Sequence, residues 1–113
     1  MKKNKLKVLY KFLLDKKYTY LKILDISKIS ILADYFIILS TDNIKSSETL
    51  TDQIEDLFFS KGFVLRGKEG YRSGWNILDY NDTVIHIFND EDRKFYNIEK
   101  NWADANYIDP SSL

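Results

Sequence analysis

The stretch Asp34-Tyr-Phe-Ile-Ile-Leu-Ser40 constrains the fold more than any other, because from Tyr35 to Leu39 it is a nearly continuous apolar run. A strand that is apolar on both faces must be covered on both faces, which puts it in the middle of a sheet. The run has the length of a strand and falls far short of the roughly 18 apolar residues that a membrane-spanning helix requires. No membrane segment is therefore expected.

The neighbouring sequence supplies the cover. Leu6, Leu9, Tyr10 and Leu13 recur at helical spacing among lysines, predicting an amphipathic helix over roughly 4–16. Tyr20 to Ser27 reads as a strand with imperfect alternation, and Ser30 to Ala33 as a single helical turn. Thr41, Asp42 and Asn43 are candidates to cap a second helix, which carries the stripe Leu50, Ile54, Leu57 and Phe58 and stops at Gly62. Phe63 to Arg66 reads as a short strand, and Gly67 to Gly74, with three of the four glycines, as a loop. Trp75 to Tyr80 and Thr83 to Phe88 are apolar runs separated by Asn81-Asp82, the spacing of a tight hairpin. Asn89 is placed to cap a last helix opening on Asp90, Glu91 and Asp92, with Phe95, Ile98 and Trp102 along one side. The order predicts an α/β fold, a mixed β-sheet of about five strands flanked by helices. One domain is expected over 1–113, with a basic N-terminal helix at 1–17 and a tail without fixed structure at 106–113.

Composition removes several chemistries. The chain has no cysteine, so disulfides, thiolate metal sites and a cysteine nucleophile are excluded, and a reducing, cytoplasmic setting is expected. The single histidine, His86, has no neighbouring ligand set, so no metal is expected. No phosphate-cradling G-x-x-x-x-G-K-[ST] or G-x-G-x-x-G pattern occurs, and Ser40, Ser46 and Ser47 lack a local base. Neither a cofactor nor catalysis is predicted. The 17 basic and 17 acidic side chains balance, which weakens any general attraction to nucleic acid. The distribution is uneven, however: seven lysines lie within 1–17 against Asp15 alone. Lys2, Lys3, Lys5, Lys7 and Lys11 are accordingly candidates for proximity to RNA, although a solvated helix face explains them as well.

Several blocks together resemble a known family. They are Ala33-Asp-Tyr-Phe36, Glu69-Gly70, Trp75-Asn-Ile-Leu-Asp-Tyr-Asn-Asp82, Val84-Ile-His-Ile-Phe88, Arg93-Lys-Phe-Tyr96, Glu99 and Trp102-Ala-Asp-Ala105. In order and nearly in spacing these resemble the Iojap-like ribosomal silencing factors, over about Leu21 to Ala105. The resemblance implies a fold related to nucleotidyltransferases but without their catalytic carboxylates. It also implies binding to the large ribosomal subunit through ribosomal protein fourteen, steric blocking of subunit joining when nutrients are scarce, and repression of translation. RNA binding and large-subunit assembly are the alternative roles. Family members are often dimeric, so a homodimer is an alternative use of the same surface.

The chain departs from the family pattern at several points. Thr41-Asp42-Asn43 stands where a Gly-Thr-Ser-like turn is usual, and Asn81-Asp82 replaces a Gly-Asp turn. The loop from Gly70 to Trp75 is one residue shorter than usual, and Asn101 occupies a position where leucine is common. The matching positions give a candidate partner surface of Glu69, Tyr71, Trp75, Asp79, Tyr80, Asp82 and His86. There the acids would complement a basic ribosomal protein and the aromatics would supply contact area.

Overall fold

The computed structural model describes residues 3–71 and 73–113. Helix α1 (Asn4–Leu13) leads to strand β1 (Tyr20–Asp25) and then to β2 (Tyr35–Thr41), the buried apolar run. Helix α2 (Ile44–Ser60) crosses to β3 (Gly67–Glu69), and β4 (Trp75–Asp79) and β5 (Thr83–Asn89) follow as a hairpin. Helix α3 (Asp90–Tyr96), a 3₁₀ turn (Ile98–Trp102), β6 (Asn106–Tyr107) and a second 3₁₀ turn (Pro110–Ser112) complete the chain. The strands form one mixed sheet in the order β3-β4-β5-β2-β1-β6. β2 and β5 run parallel at its centre, and the other pairs are antiparallel.

Strand alternation sends side chains to two different environments. Ile23, Tyr35, Ile37, Leu39, Leu78, Tyr80, Ile85 and Ile87 face the helices, where Leu6, Leu9 and Leu13 of α1 and Leu50, Ile54 and Phe58 of α2 close the main core. Leu24, Phe36, Ile38, Val84 and Phe88 face the other way, under a thinner cover from Ile98, Trp102 and Ala105.

Local chemistry sets the ends of the elements. The Asn43 side chain accepts the Ser46 N–H at 2.8 Å and opens α2. The helix closes with Gly62 at φ +79°, the Gly62 N–H on Phe59 O and the Phe63 N–H on Phe58 O, a Schellman arrangement with Phe63 packed edge-on against Phe58. Asn81, at φ +76°, takes the positive-φ position of the hairpin turn, and Asn89 accepts the Asp92 N–H to start α3.

Five expectations are corrected. Ser30 to Ala33 forms no helical turn, and the stretch from Gly67 expected as a loop opens with β3. Phe63 to Arg66 is not a strand: the Phe63 N–H is spent closing α2, and sheet pairing begins only at Gly67, opposite Asp79. The last helix is not continuous, since Asn97 at φ +41° ends α3 and the chain restarts as the 3₁₀ turn, which leaves Phe95 79% exposed and off the core. The 106–113 segment has fixed structure: Asn106 and Tyr107 pair with Asp25 and Leu24, the Ile108 N–H bonds Ile23 O, and Ile108 and Leu113 pack on the helix-side core. Apolar residues at 108 and 113 drive this docking and add a sixth strand to the sheet.

Candidate functional site

The sheet face away from α1 and α2 is the candidate site. Register brings Trp75 opposite Phe88, Ile77 opposite His86 and Asp79 opposite Val84, and sets Glu69 beside Ile77. Phe36 pairs with Val84 on the next strand, so the aromatic surface continues across the centre of the sheet. Glu69, Trp75, Ile77, Asp79 and His86 thus share one face.

Trp75 is held from several sides. Its ring stacks on Phe88 at 5.1 Å between centroids and 24° between planes, Tyr96 of α3 lies at 4.8 Å, and Nε1–H donates to His86 Nδ1 at 3.1 Å. His86 in turn sits 4.8 Å from Phe36, which meets Trp102 edge-on at 5.1 Å. The approach to Trp75 depends on glycine. A Cβ on Gly70, at φ +74°, would run into the Trp75 carbonyl, and one on Gly74 would collide with the Asp92 carboxylate.

Two of the seven sequence-predicted residues do not present themselves at a surface. Tyr80 is 3% exposed on the helix side, its ring 4.8 Å from Phe58, and burial pushes its phenol up to about 12. His86 is on the site face but only 6% exposed beneath its aromatic neighbours, and burial pushes it down to about 4, so the ring is neutral at pH 7. Positions matched to a family pattern do not reveal which side of the sheet is roofed over, so the resemblance marks both residues as available.

The acids are also less free than the sequence implied. Asp79 accepts from Arg66 Nη2 at 2.8 Å and Nε at 3.2 Å, and Asp82 pairs with Lys5 Nζ at 3.0 Å. Lys5 belongs to α1, so Asp82 leans toward the helix side. Tyr71 does likewise: its ring lies 4.3 Å from Lys68 Nζ, which bonds Glu55 of α2. Glu69 remains exposed beside Ile77. Lys3, Lys7 and Lys11 are exposed on or beside α1, across the sheet from Trp75, while Lys2 lies outside the described residues. Sequence reasoning missed Ile77, whose place two residues from both Trp75 and Asp79 was the available signal, while Phe36, at 9% exposed, is core as the sequence expects.

Among the described residues no group of three or more His, Cys, Asp or Glu side chains is placed to hold a metal ion, and no helix is long and apolar enough to cross a membrane. Fold and face together define an α/β protein with a partly covered aromatic face set on a mixed sheet. The family model for "Ribosomal silencing factor during starvation" matches residues 1–113. The ribosomal silencing factor RsfS of Bacillus subtilis is 33% identical over 96 residues, 84% of this chain and 81% of that protein. The chloroplastic protein Iojap of Zea mays is 25% identical over 93 residues, 82% of this chain and 41% of the relative. A crystal structure of a Bacillus halodurans protein superposes with a TM-score of 0.76 at 27% identity, covering 92% of this chain and 93% of that one. The chain belongs to the ribosomal silencing factor family, and with that membership comes a ribosome-associated silencing role.

Proposed function

We propose that the protein binds the large ribosomal subunit through ribosomal protein fourteen, using the sheet face around Trp75, and that its bulk there blocks the small subunit from joining. The observation that supports this reading most is the aromatic face itself, with Trp75 and Ile77 only partly buried beside the buried Phe36 and Phe88 on the central sheet. Large aromatic anchors held in one rotamer lose little entropy on docking and dominate interface energies. Glu69 and the partly neutralised Asp79 give the rim its negative character, which suits a basic ribosomal protein. Silencing of this kind requires only occupancy, with no bond made or broken. The lysines of α1 lie on the opposite side of the sheet and would meet ribosomal RNA only through a contact separate from this one.

Sucrose-gradient sedimentation with purified subunits tests the reading. The protein should travel with the large-subunit peak and reduce formation of joined ribosomes, and Trp75→Ala or Asp79→Lys should lose both effects while remaining folded. Absence of the wild-type protein from that peak, with no effect on joining, would overturn it. A wild-type protein that forms a stable dimer through the Trp75 face, and cannot bind subunits in that state, would overturn it as well.

A further inference from the structure

The Trp75 side chain has one hydrogen-bond donor, and the fold consumes it. The indole N–H points at His86 Nδ1 at 3.1 Å, while Phe88 and Tyr96 hold the ring by contact. A neutral imidazole that accepts at Nδ1 carries its proton on Nε2. Nε2 is buried without a protein partner, so the tautomer is not selected by a bond at Nε2; the Trp75 contact at Nδ1 selects it. The ring itself is fixed by Phe36 at 4.8 Å, with Phe88 near parallel at 16°. His86 also stands directly opposite Ile77 in the β4–β5 register, two residues along the strand from Trp75. A buried, immobile acceptor thus sits beneath the most prominent side chain of the candidate interface.

We infer that His86 is the positioning residue of this interface: it makes no contact with the partner and acts by pinning the Trp75 indole in one orientation with its N–H turned inward. The inference rests on the ribosome-binding reading above and adds what that surface can recognise. With its donor occupied and one ring face stacked on Phe88, Trp75 offers a partner only its remaining π surface and carbon edges. The complementary group is therefore an apolar or cationic side chain, as a basic ribosomal protein can supply, and not a carbonyl or carboxylate seeking the indole N–H.

The test uses the full chain with large subunits and three variants. His86→Phe fills the space without an acceptor, His86→Asn restores an acceptor near the Nδ1 position, and Trp75→Ala removes the anchor. In the wild type, the indole N–H resonance should exchange slowly with solvent. In His86→Phe it should shift and exchange faster, with large-subunit affinity falling roughly tenfold, the scale of one lost orienting hydrogen bond. His86→Asn should recover most of both. Rapid wild-type indole exchange would overturn the inference without relying on any variant. So would a folded His86→Phe that binds as tightly as wild type while Trp75→Ala does not, and this outcome would leave the binding reading intact. Wild-type binding unaffected by Trp75→Ala would instead remove the interface reading on which the inference depends.

Discussion

The two faces of the sheet are built from the same strands and the same kinds of residue, yet they are finished differently. The helix side is roofed by α1 and α2, whose Leu6, Leu9, Leu13, Leu50, Ile54 and Phe58 are essentially removed from water. The other side has a short helix and a 3₁₀ turn, and Trp75, Ile77 and Trp102 stay only partly buried. Burial of apolar area is the main source of stability, so the helix side should carry most of it. Incomplete cover leaves large aromatic groups available for a partner. Stability is therefore concentrated on the helix side, and under the proposed function recognition falls to the other, with β2 and β5 contributing to both faces.

Perturbing each face separately should give distinct stability losses. The largest effect is expected from Phe58→Ala, which opens a cavity in the fully buried helix-side core and should cost about 3–5 kcal/mol in denaturant unfolding. Trp75→Ala should cost clearly less stability, because its ring is only partly buried. Equal losses from the two would contradict the division of labour.

Next in size is a pH effect. His86 is held at about 4 in the folded chain against an ordinary 6.5, so between those values the unfolded chain binds a proton that the native one does not. Stability from this group is complete above pH 6.5 and is lost as pH falls toward 4, by roughly 3 kcal/mol. Unfolding curves across that window should be less pH-dependent in His86→Phe than in the wild type by about this amount. Identical slopes would mean that His86 is solvated and the aromatic face looser than described.

Removing residues 106–113 should be smaller again, about 1–2 kcal/mol, through loss of the β6 pairing and of Ile108 and Leu113 packing. No measurable change in melting would show that the segment does not contribute to the core. The smallest of the four is Asn89→Ala, which removes the cap on the Asp92 N–H and should cost about 1 kcal/mol. Because α3 bears Tyr96 against Trp75, this variant should also loosen the indole, seen as a red shift in tryptophan emission.

Much of the fold was legible because its signals are local. The doubly apolar 35–39 run, the stripe of α2, the Gly62 stop, the Asn43 and Asn89 caps and the Asn81-Asp82 turn are each decided by a few neighbouring residues. The errors fell where distant atoms decide. Phe63 could not join the sheet once its N–H closed α2, Asn97 interrupted an unbroken apolar spacing, and the C-terminal residues found an open edge at β1. The site was half legible for the same reason. The resemblance picked out Trp75 and Asp79, which do share one face, but it could not tell that Tyr80 lies under α2, that aromatic rings close over His86, or that Arg66 and Lys5 have already engaged Asp79 and Asp82.

The most direct test of the division between faces is oxidative footprinting of the protein free and bound to large subunits, read residue by residue. Trp75 and Trp102 should become protected on binding, while Phe59 and Tyr10 on the helix side keep their reactivity. Protection of Phe59 or Tyr10 with Trp75 and Trp102 unchanged would show that the ribosome meets the other face.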